Sequence, residues 1–154
     1  MKKNFLFVLF FTLIFNISIC SAVKNLSDNS FAIGGIFIGG SADYIKGIYG
    51  EPNKIIKNQN EQNAETWYYG ETFVIYCVDG IANSIVSSGA NGLATPEGIS
   101  VGMKKRQMTS KYGRPNHSDK FGNRAIYTYQ TNNNLKMIFI VLDGIISEIR
   151  INQG

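Results

Sequence analysis

Apolar and polar positions follow two different periods along this chain, and the two periods recur in the same order. Over 41–49, Ile45, Ile48 and Tyr49 are spaced by three and four, which predicts a short helix with one apolar side. Ser41 stands where an N-cap hydroxyl is wanted, and Asp43 falls in the first turn, where a carboxylate suits the helix dipole. Gly50 is expected to end this helix as a left-handed cap, and Pro52 to keep it from resuming. Aromatic and β-branched runs then predict strands at 54–57, 65–69, 73–78 and 81–87. Further on, Met108 and Tyr112 lead into Gly113 and Pro115, with strands expected at 116–119, 124–130, 135–142 and 145–152. Asp79-Gly80 and Asp143-Gly144 each separate two such runs. Glycine tolerates the positive φ of a tight turn, so both pairs read as hairpins.

The recurrence is a duplication. Residues 38–52 match 101–115 at an offset of 63, and Asp79-Gly80-Ile81 matches Asp143-Gly144-Ile145 at an offset of 64. The expected organisation is a first repeat over 33–88, a linker rich in glycine over 89–98 and a second repeat over 99–152. The expected fold class is α+β: two tandem units, each a helix plus an antiparallel sheet, with the continuity of the two sheets left open. Alternation puts Ile145, Ser147, Ile149 and Ile151 on one face and Ile146, Glu148 and Arg150 on the other; Ile81, Asn83 and Ile85 share a face. Trp67, Tyr69, Tyr127 and Tyr129 read as the row facing the helices. Tyr68, Tyr76 and Thr128 then become the candidates for an open face that binds a partner. The polar stretch 23–30 is expected to be mobile.

The first 22 residues carry a different message. Lys2 and Lys3 precede an apolar run over 5–15 broken only by Thr12, and small residues follow as far as Ala22. That order is a secretory signal with cleavage after Ala22. The run is shorter than the roughly 18 to 20 residues that span a bilayer, which weighs against an uncleaved anchor. Ile19 before Cys20 weighs against lipidation. Removing 1–22 takes two of the 15 basic residues and leaves 13 against 11 acids, a net charge of +2. That is no footprint for nucleic acid. Lys104-Lys105-Arg106 reads as a solvated helix face.

Catalytic chemistry is sparse. Cys77 is left alone in an apolar run, so no internal disulfide forms after export, and it reads as a small core residue. His117 is the one histidine and reads as a surface residue. No phosphate-binding glycine motif occurs, and no acidic ligands follow the Asp-Gly pairs at the spacing of a calcium loop. No catalytic residue, cofactor or metal is assigned. Gly50, Pro52, Gly113 and Pro115 are helix punctuation, and Asp79, Gly80, Asp143 and Gly144 are turns.

The motif set, an I-x-x-G-M-like start, a short helix, Y-G-x-P, an aromatic strand and a D-G hairpin, resembles the SmpA/OmlA family of bacterial envelope proteins. The set is carried by Val101-Gly102-Met103, by Tyr49 to Pro52 and Tyr112 to Pro115, and by the two Asp-Gly turns. Its tandem arrangement resembles the β-lactamase inhibitor protein fold. The start at Gly34 and the linker at Thr95 look closer still to uncharacterised exported bacterial proteins. That last resemblance implies no activity; the duplicated unit, the export signal and the lack of catalytic groups lead instead to the expectation of a non-enzymatic, exported, protein-binding module that is periplasmic, envelope-associated or secreted. Its expected partner is an envelope or extracellular protein, with membrane contact only through an uncleaved signal. The alternatives are a secreted inhibitor of an extracellular enzyme and a small-ligand-binding protein.

Overall fold

The computed structural model describes residues 24–154. The signal expected over 1–22, with Cys20, lies outside the described residues. A single 3-10 turn over Asp28–Ser30 leads into a short hairpin, β1 (Ala32–Ile33) and β2 (Ile36–Phe37), followed by α1 (Ala42–Tyr49). Strands β3 (Lys54–Lys57), β4 (Ala64–Tyr69), β5 (Phe73–Val78) and β6 (Ile81–Ser88) complete the first repeat. The second contributes α2 (Lys105–Tyr112), β7 (His117–Phe121), β8 (Arg124–Gln130), β9 (Leu135–Leu142) and β10 (Ile145–Gln153). The two sheets are one. Eight antiparallel strands run in the order β3-β4-β5-β6-β10-β9-β8-β7, so the last strand of each repeat forms the junction. The order reads the same from either edge, which makes the fold α+β with an approximate two-fold axis through the sheet.

Each helix is set by local chemistry. The Ser41 hydroxyl accepts a hydrogen bond from the Tyr44 N–H at 3.2 Å, and Asp43 lies in the first turn of α1. In α2 the N-terminal Lys104 N–H donates to the Gln107 side-chain oxygen at 2.9 Å instead. Both helices end on glycine, Gly50 at φ 75°, ψ −161° and Gly113 at φ 77°, ψ −152°. That is not the left-handed helical region expected of a cap but an extended mirror region that is essentially closed to residues with a Cβ. The cap is then used a second time. Tyr69 Oη donates to the Gly50 carbonyl at 3.1 Å, and Tyr129 Oη donates to the Gly113 carbonyl at 3.0 Å. The glycine thus ties its helix to an aromatic strand of the same repeat.

The turns repeat as well. Asp79 and Gly80 have φ 51° and 73°, and Asp143 and Gly144 have φ 51° and 79°, the double positive φ of a two-residue hairpin. Each aspartate accepts a side-chain hydrogen bond from an asparagine of the neighbouring loop, Asn63 at 2.8 Å and Asn123 at 3.3 Å.

The strict alternation expected along the junction strands does not hold. A bulge interrupts each strand, at Asn83 in β6 and at Ser147 in β10, equivalent positions of the two repeats. Each bulge adds a residue, so the face reverses across it. Ala82 and Ile146 turn inward, and Ile81 and Ile145 are exposed. Beyond the bulges Ile85, Ile149 and Ile151 are fully buried, as their parity requires.

The core lies between the helices and one face of the sheet. Two aromatic triads mark it: Tyr49, Tyr69 and Phe73, with ring centroids 5.2–6.2 Å apart, and Tyr112, Tyr129 and Phe139, at 5.3–5.8 Å. Trp67, Ile75, Ile85 and Met137 join them. The N-terminal stretch 24–30, expected to be mobile, is instead docked on the second repeat. Leu26 and Phe31 are buried in the common core, and Asn133 Nδ2 donates to the Asp28 carboxylate at 2.6 Å. The linker closes over the first repeat, where Gly34 N–H donates to the Ala94 carbonyl at 2.9 Å and Asn91 Nδ2 reaches Thr72. Apolar anchors at Leu26, Phe31 and Leu93 explain why these polar-looking stretches are held.

Candidate functional site

Strand register divides the sheet into two faces. Trp67, Tyr69, Phe73, Ile75, Tyr127, Tyr129 and Phe139 face the helices. Side chains of alternate parity face away, and among the described residues no helix covers them. Tyr68, Tyr76 and Thr128 all lie on this second face. Cross-strand pairing runs unbroken through all eight strands: Lys54, Tyr68, Val74, Val86, Arg150, Ile138, Thr128 and His117. Tyr68 and Thr128 are therefore members of one row. With strands about 4.8 Å apart, five steps separate them by about 24 Å. Tyr76 sits in the neighbouring row, between Thr66 and Ser84, diagonal to Tyr68. The structure brings the two tyrosines together and leaves Thr128 across the sheet.

The face is half-buried rather than solvated. Val74, Val86, Ile126 and Ile138 are only partly exposed, and Ile140 is buried by its neighbours. Charges punctuate it. Lys54 Nζ stands 5.7 Å from the centre of the Tyr68 ring, a distance at which a cation is attracted to the ring face. Arg150 pairs with Glu148 on the same strand. The Tyr76 hydroxyl donates to the Glu61 carboxylate, and this hydrogen bond holds the Tyr76 pKa above its ordinary value. The row was not legible from composition because Val74, Val86, Ile138 and Arg150 look like ordinary strand residues. Counting parity outward from the two Asp-Gly turns would have found them, had the bulges been visible.

The groups that carry chemistry elsewhere are occupied here with structure. Cys77 is buried, and burial, with Glu65 beside it, pushes its thiol up to about 11, so it is a neutral core group and no nucleophile. His117 is exposed at the start of the edge strand β7, its Nε2 3.0 Å from the Asp119 carboxylate. Among the described residues no cluster of three or more His, Cys, Asp or Glu side chains is placed to hold a metal. Gly50, Gly113 and the Asp-Gly pairs are the caps and turns described above. Pro52 and Pro115 follow each cap, ahead of edge strands β3 and β7.

No family model matches the chain, and no curated protein matches it in sequence. Solved structures do match in fold. A cysteine-rich secretory protein from Staphylococcus aureus aligns with TM-score 0.51 at 7% identity, over 75% of this chain and 44% of that one. An extracellular protein containing an SCP domain from Bacillus anthracis aligns with TM-score 0.50 at 13% identity, over the same shares. A DUF4309 family protein from Bacillus subtilis aligns with TM-score 0.49 at 12% identity, over 78% of this chain and 83% of that one. The chain thus spans less than half the length of the first two proteins.

These matches correct the resemblance drawn from the motifs. The fold is shared with a part, 44% of the length, of a cysteine-rich secretory protein and of an extracellular protein that contains an SCP domain, not with the SmpA/OmlA or β-lactamase inhibitor families. The physical reason is in the motifs themselves. Y-G-x-P ends a short helix on a mirror-region glycine, and D-G turns a hairpin. Both are local devices open to helix-on-sheet units of any descent, so they report local geometry.

Proposed function

We propose that this chain is exported and works outside the cytoplasm as a non-enzymatic binding module, with repeats over 33–88 and 99–152 and the uncovered sheet face as its working surface. The observation that carries this reading is the eight-residue row from Lys54 to His117, which lines up aromatic, aliphatic and cationic side chains on a face that no described element packs against. Seven strand spacings make the face about 34 Å wide. A standard protein interface needs about 800 Å² per partner, which such a face accommodates. Tyr68, Tyr76 and Thr128 are its contact residues, with Val86 and Arg150 at its centre. The buried, neutral Cys77 and the exposed His117 support a binding role over a catalytic one. The signal-like N-terminus and the fold shared with two proteins described as secretory and extracellular support export.

The test is crosslinked capture from the producing cell's own envelope and medium, read by mass spectrometry. One stoichiometric protein partner, lost in Tyr68→Ala/Thr128→Ala and in Arg150→Glu, supports the reading. A partner retained by all these variants sinks the face assignment. The same fractions address the second reading, a secreted inhibitor of an extracellular enzyme, which the two extracellular fold relatives favour. Recovery from the medium in a tight complex with an enzyme selects that reading.

A further inference from the structure

The two helices fill the same place in their repeats, and comparing them position by position separates what the fold requires from what it leaves free. At an offset of 63 the inward positions keep their kind: Ile45 matches Met108, and Tyr49 matches Tyr112, all packed in the core. The outward positions do not. Tyr44 and Ile48, one turn apart, match Gln107 and Lys111, and Asp43 matches Arg106. On the first repeat, the Phe37 and Tyr44 rings pack tilted at 52° with centroids 5.5 Å apart, and Phe37, Tyr44 and Ile48 are 45%, 43% and 46% exposed. On the second, Lys104, Lys105, Arg106, Lys111 and Arg114 are exposed, and none forms an ion pair among the described residues. α2 itself holds no acid. An apolar ridge and a cationic ridge therefore share one side of the sheet, the side opposite the row of Tyr68 and Thr128.

The chain enters on that same side. Lys24 Nζ donates to the Lys111 carbonyl at 3.2 Å, and Leu26 is buried just beyond it. In the sequence, the apolar run over 5–15 ends nine residues before Lys24. Nine residues reach at most about 30 Å when fully extended. While the run is attached and lodged in a membrane, the cationic helix is tethered within that distance of the lipid surface.

We propose that the helix-bearing side is a docking surface for an anionic lipid bilayer. Arg106, Lys111 and Arg114 meet phosphate headgroups, and Phe37, Tyr44 and Ile48 enter the boundary between headgroups and acyl chains. An acidic protein satisfies the cations but gives no reason for the apolar ridge; a bilayer uses both, and the signal run brings the helix close to one until it is cleaved. The sheet face is then turned outward. The inference rests on other residues than the binding reading above, and either one can fail alone.

The test mixes the full chain with vesicles of phosphatidylcholine alone or with one third phosphatidylglycerol, and reads binding by sedimentation and contact by amide hydrogen exchange. The expected result is about tenfold or greater preference for the anionic vesicles, lost at 1 M salt, where the Debye length is about 3 Å. Protection is expected over 37–48 and 104–114. Arg106→Glu/Lys111→Glu is expected to abolish the preference with an unchanged Tm, and Phe37→Ser/Ile48→Ser to weaken binding to the anionic vesicles. Equal binding to both vesicle types overturns the proposal, because the apolar run alone then accounts for it. Protection on β4, β5 and β8 instead of the helices overturns it too. Tighter binding to soluble polyglutamate than to anionic vesicles overturns it in favour of an acidic protein.

Discussion

Val86 and Arg150 occupy the same position in the two repeats, 64 residues apart, and are cross-strand partners of each other. Only a residue on the two-fold axis of a duplicated sheet meets its own counterpart. Flanking pairs exchange across it: Ile85 pairs with Ile151 and Ser87 with Ile149, each the image of the other. The junction is thus a two-fold interface between repeats, written into one chain.

This register predicts a charge dependence at the axis. Val86→Glu places a carboxylate opposite Arg150 and is expected to be neutral or to stabilise by up to about 1 kcal/mol, whereas Val86→Lys sets like charges opposite and costs a similar amount. Denaturant midpoints measured at low salt check the sign. Equal effects of the two substitutions would mean that the strands pair in another register.

A second prediction concerns cooperativity. Ile85, Ile149 and Ile151 are fully buried at the seam and belong to one core with both aromatic triads. Ile85→Ala or Ile151→Ala is expected to cost about 2–5 kcal/mol and to lower a single melting transition. Calorimetry showing two separable transitions would mean that the repeats fold independently despite the shared sheet.

The Tyr-to-glycine tie predicts unequal losses in the two repeats. Tyr129 is fully buried, and its hydroxyl donates to the Gly113 carbonyl; Tyr69 makes the same bond to Gly50 from a more exposed position. Tyr129→Phe removes a part-buried hydrogen bond and is expected to cost about 1–2 kcal/mol, with Tyr69→Phe at about 1 kcal/mol or less. Urea unfolding of the two variants side by side reads the difference.

Buried acids of the neutral type predict alkaline sensitivity. Burial raises Cys77 to about 11 and raises Tyr69 and Tyr112 to about 12. Each folded pKa lies above its unfolded value of 9.0 or 10.0, so above those values the native state keeps protons that the unfolded chain has released. The stability these groups contribute is complete below pH 9 and is lost as pH rises from about 9 to 12. Tyrosinate absorbance followed with circular dichroism is expected to show ionisation coincident with unfolding, and Cys77→Ala to delay the onset. Free titration of all tyrosines in a folded chain would contradict the burial.

Much of the architecture was readable because its signals are local. Ser41, Gly50 and the Asp-Gly pairs act on their own neighbours, so caps and turns are visible in a few residues. The offset of 63 to 64 then supplied the second repeat from the first. What stayed hidden is set at long range. The order of eight strands depends on β6 meeting β10, and no local pattern in Ile81–Ser88 names that partner. The docked stretch 24–30 looked mobile because its composition is polar, yet the one buried apolar side chain in it, Leu26, anchors it, with Lys24 and Asp28 bonded to the second repeat. The candidate face was half legible: Tyr68, Tyr76 and Thr128 follow from alternation within their own hairpins, while their spacing across the sheet follows from the junction.

The paired bulges give the last prediction. Asn83 and Ser147 each supply one residue beyond what their partner strands need, and the Ser147 hydroxyl donates to the Ile140 carbonyl at 3.1 Å. The extra residue lets Ile146 and Ile149 both face the core although an odd spacing would send them to opposite faces. Ser147→Ala removes only the hydroxyl and is expected to cost about 1 kcal/mol. Deleting Ser147 restores strict alternation. Held in register toward the C-terminus, it drives Ile146 out of the core and breaks the bonds that join Gly102 and Met103 to Ile146, at 2.8 and 2.9 Å. The expected loss is several kcal/mol, of the order of a large core truncation with two hydrogen bonds added. Deleting Asn83 is expected to do the same in the first repeat, where Gly39 and Gly40 hold Ala82 by matching bonds of 2.8 and 2.9 Å. If either deletion folds with stability close to that of the intact chain, the bulge is incidental and the helix entry is anchored elsewhere.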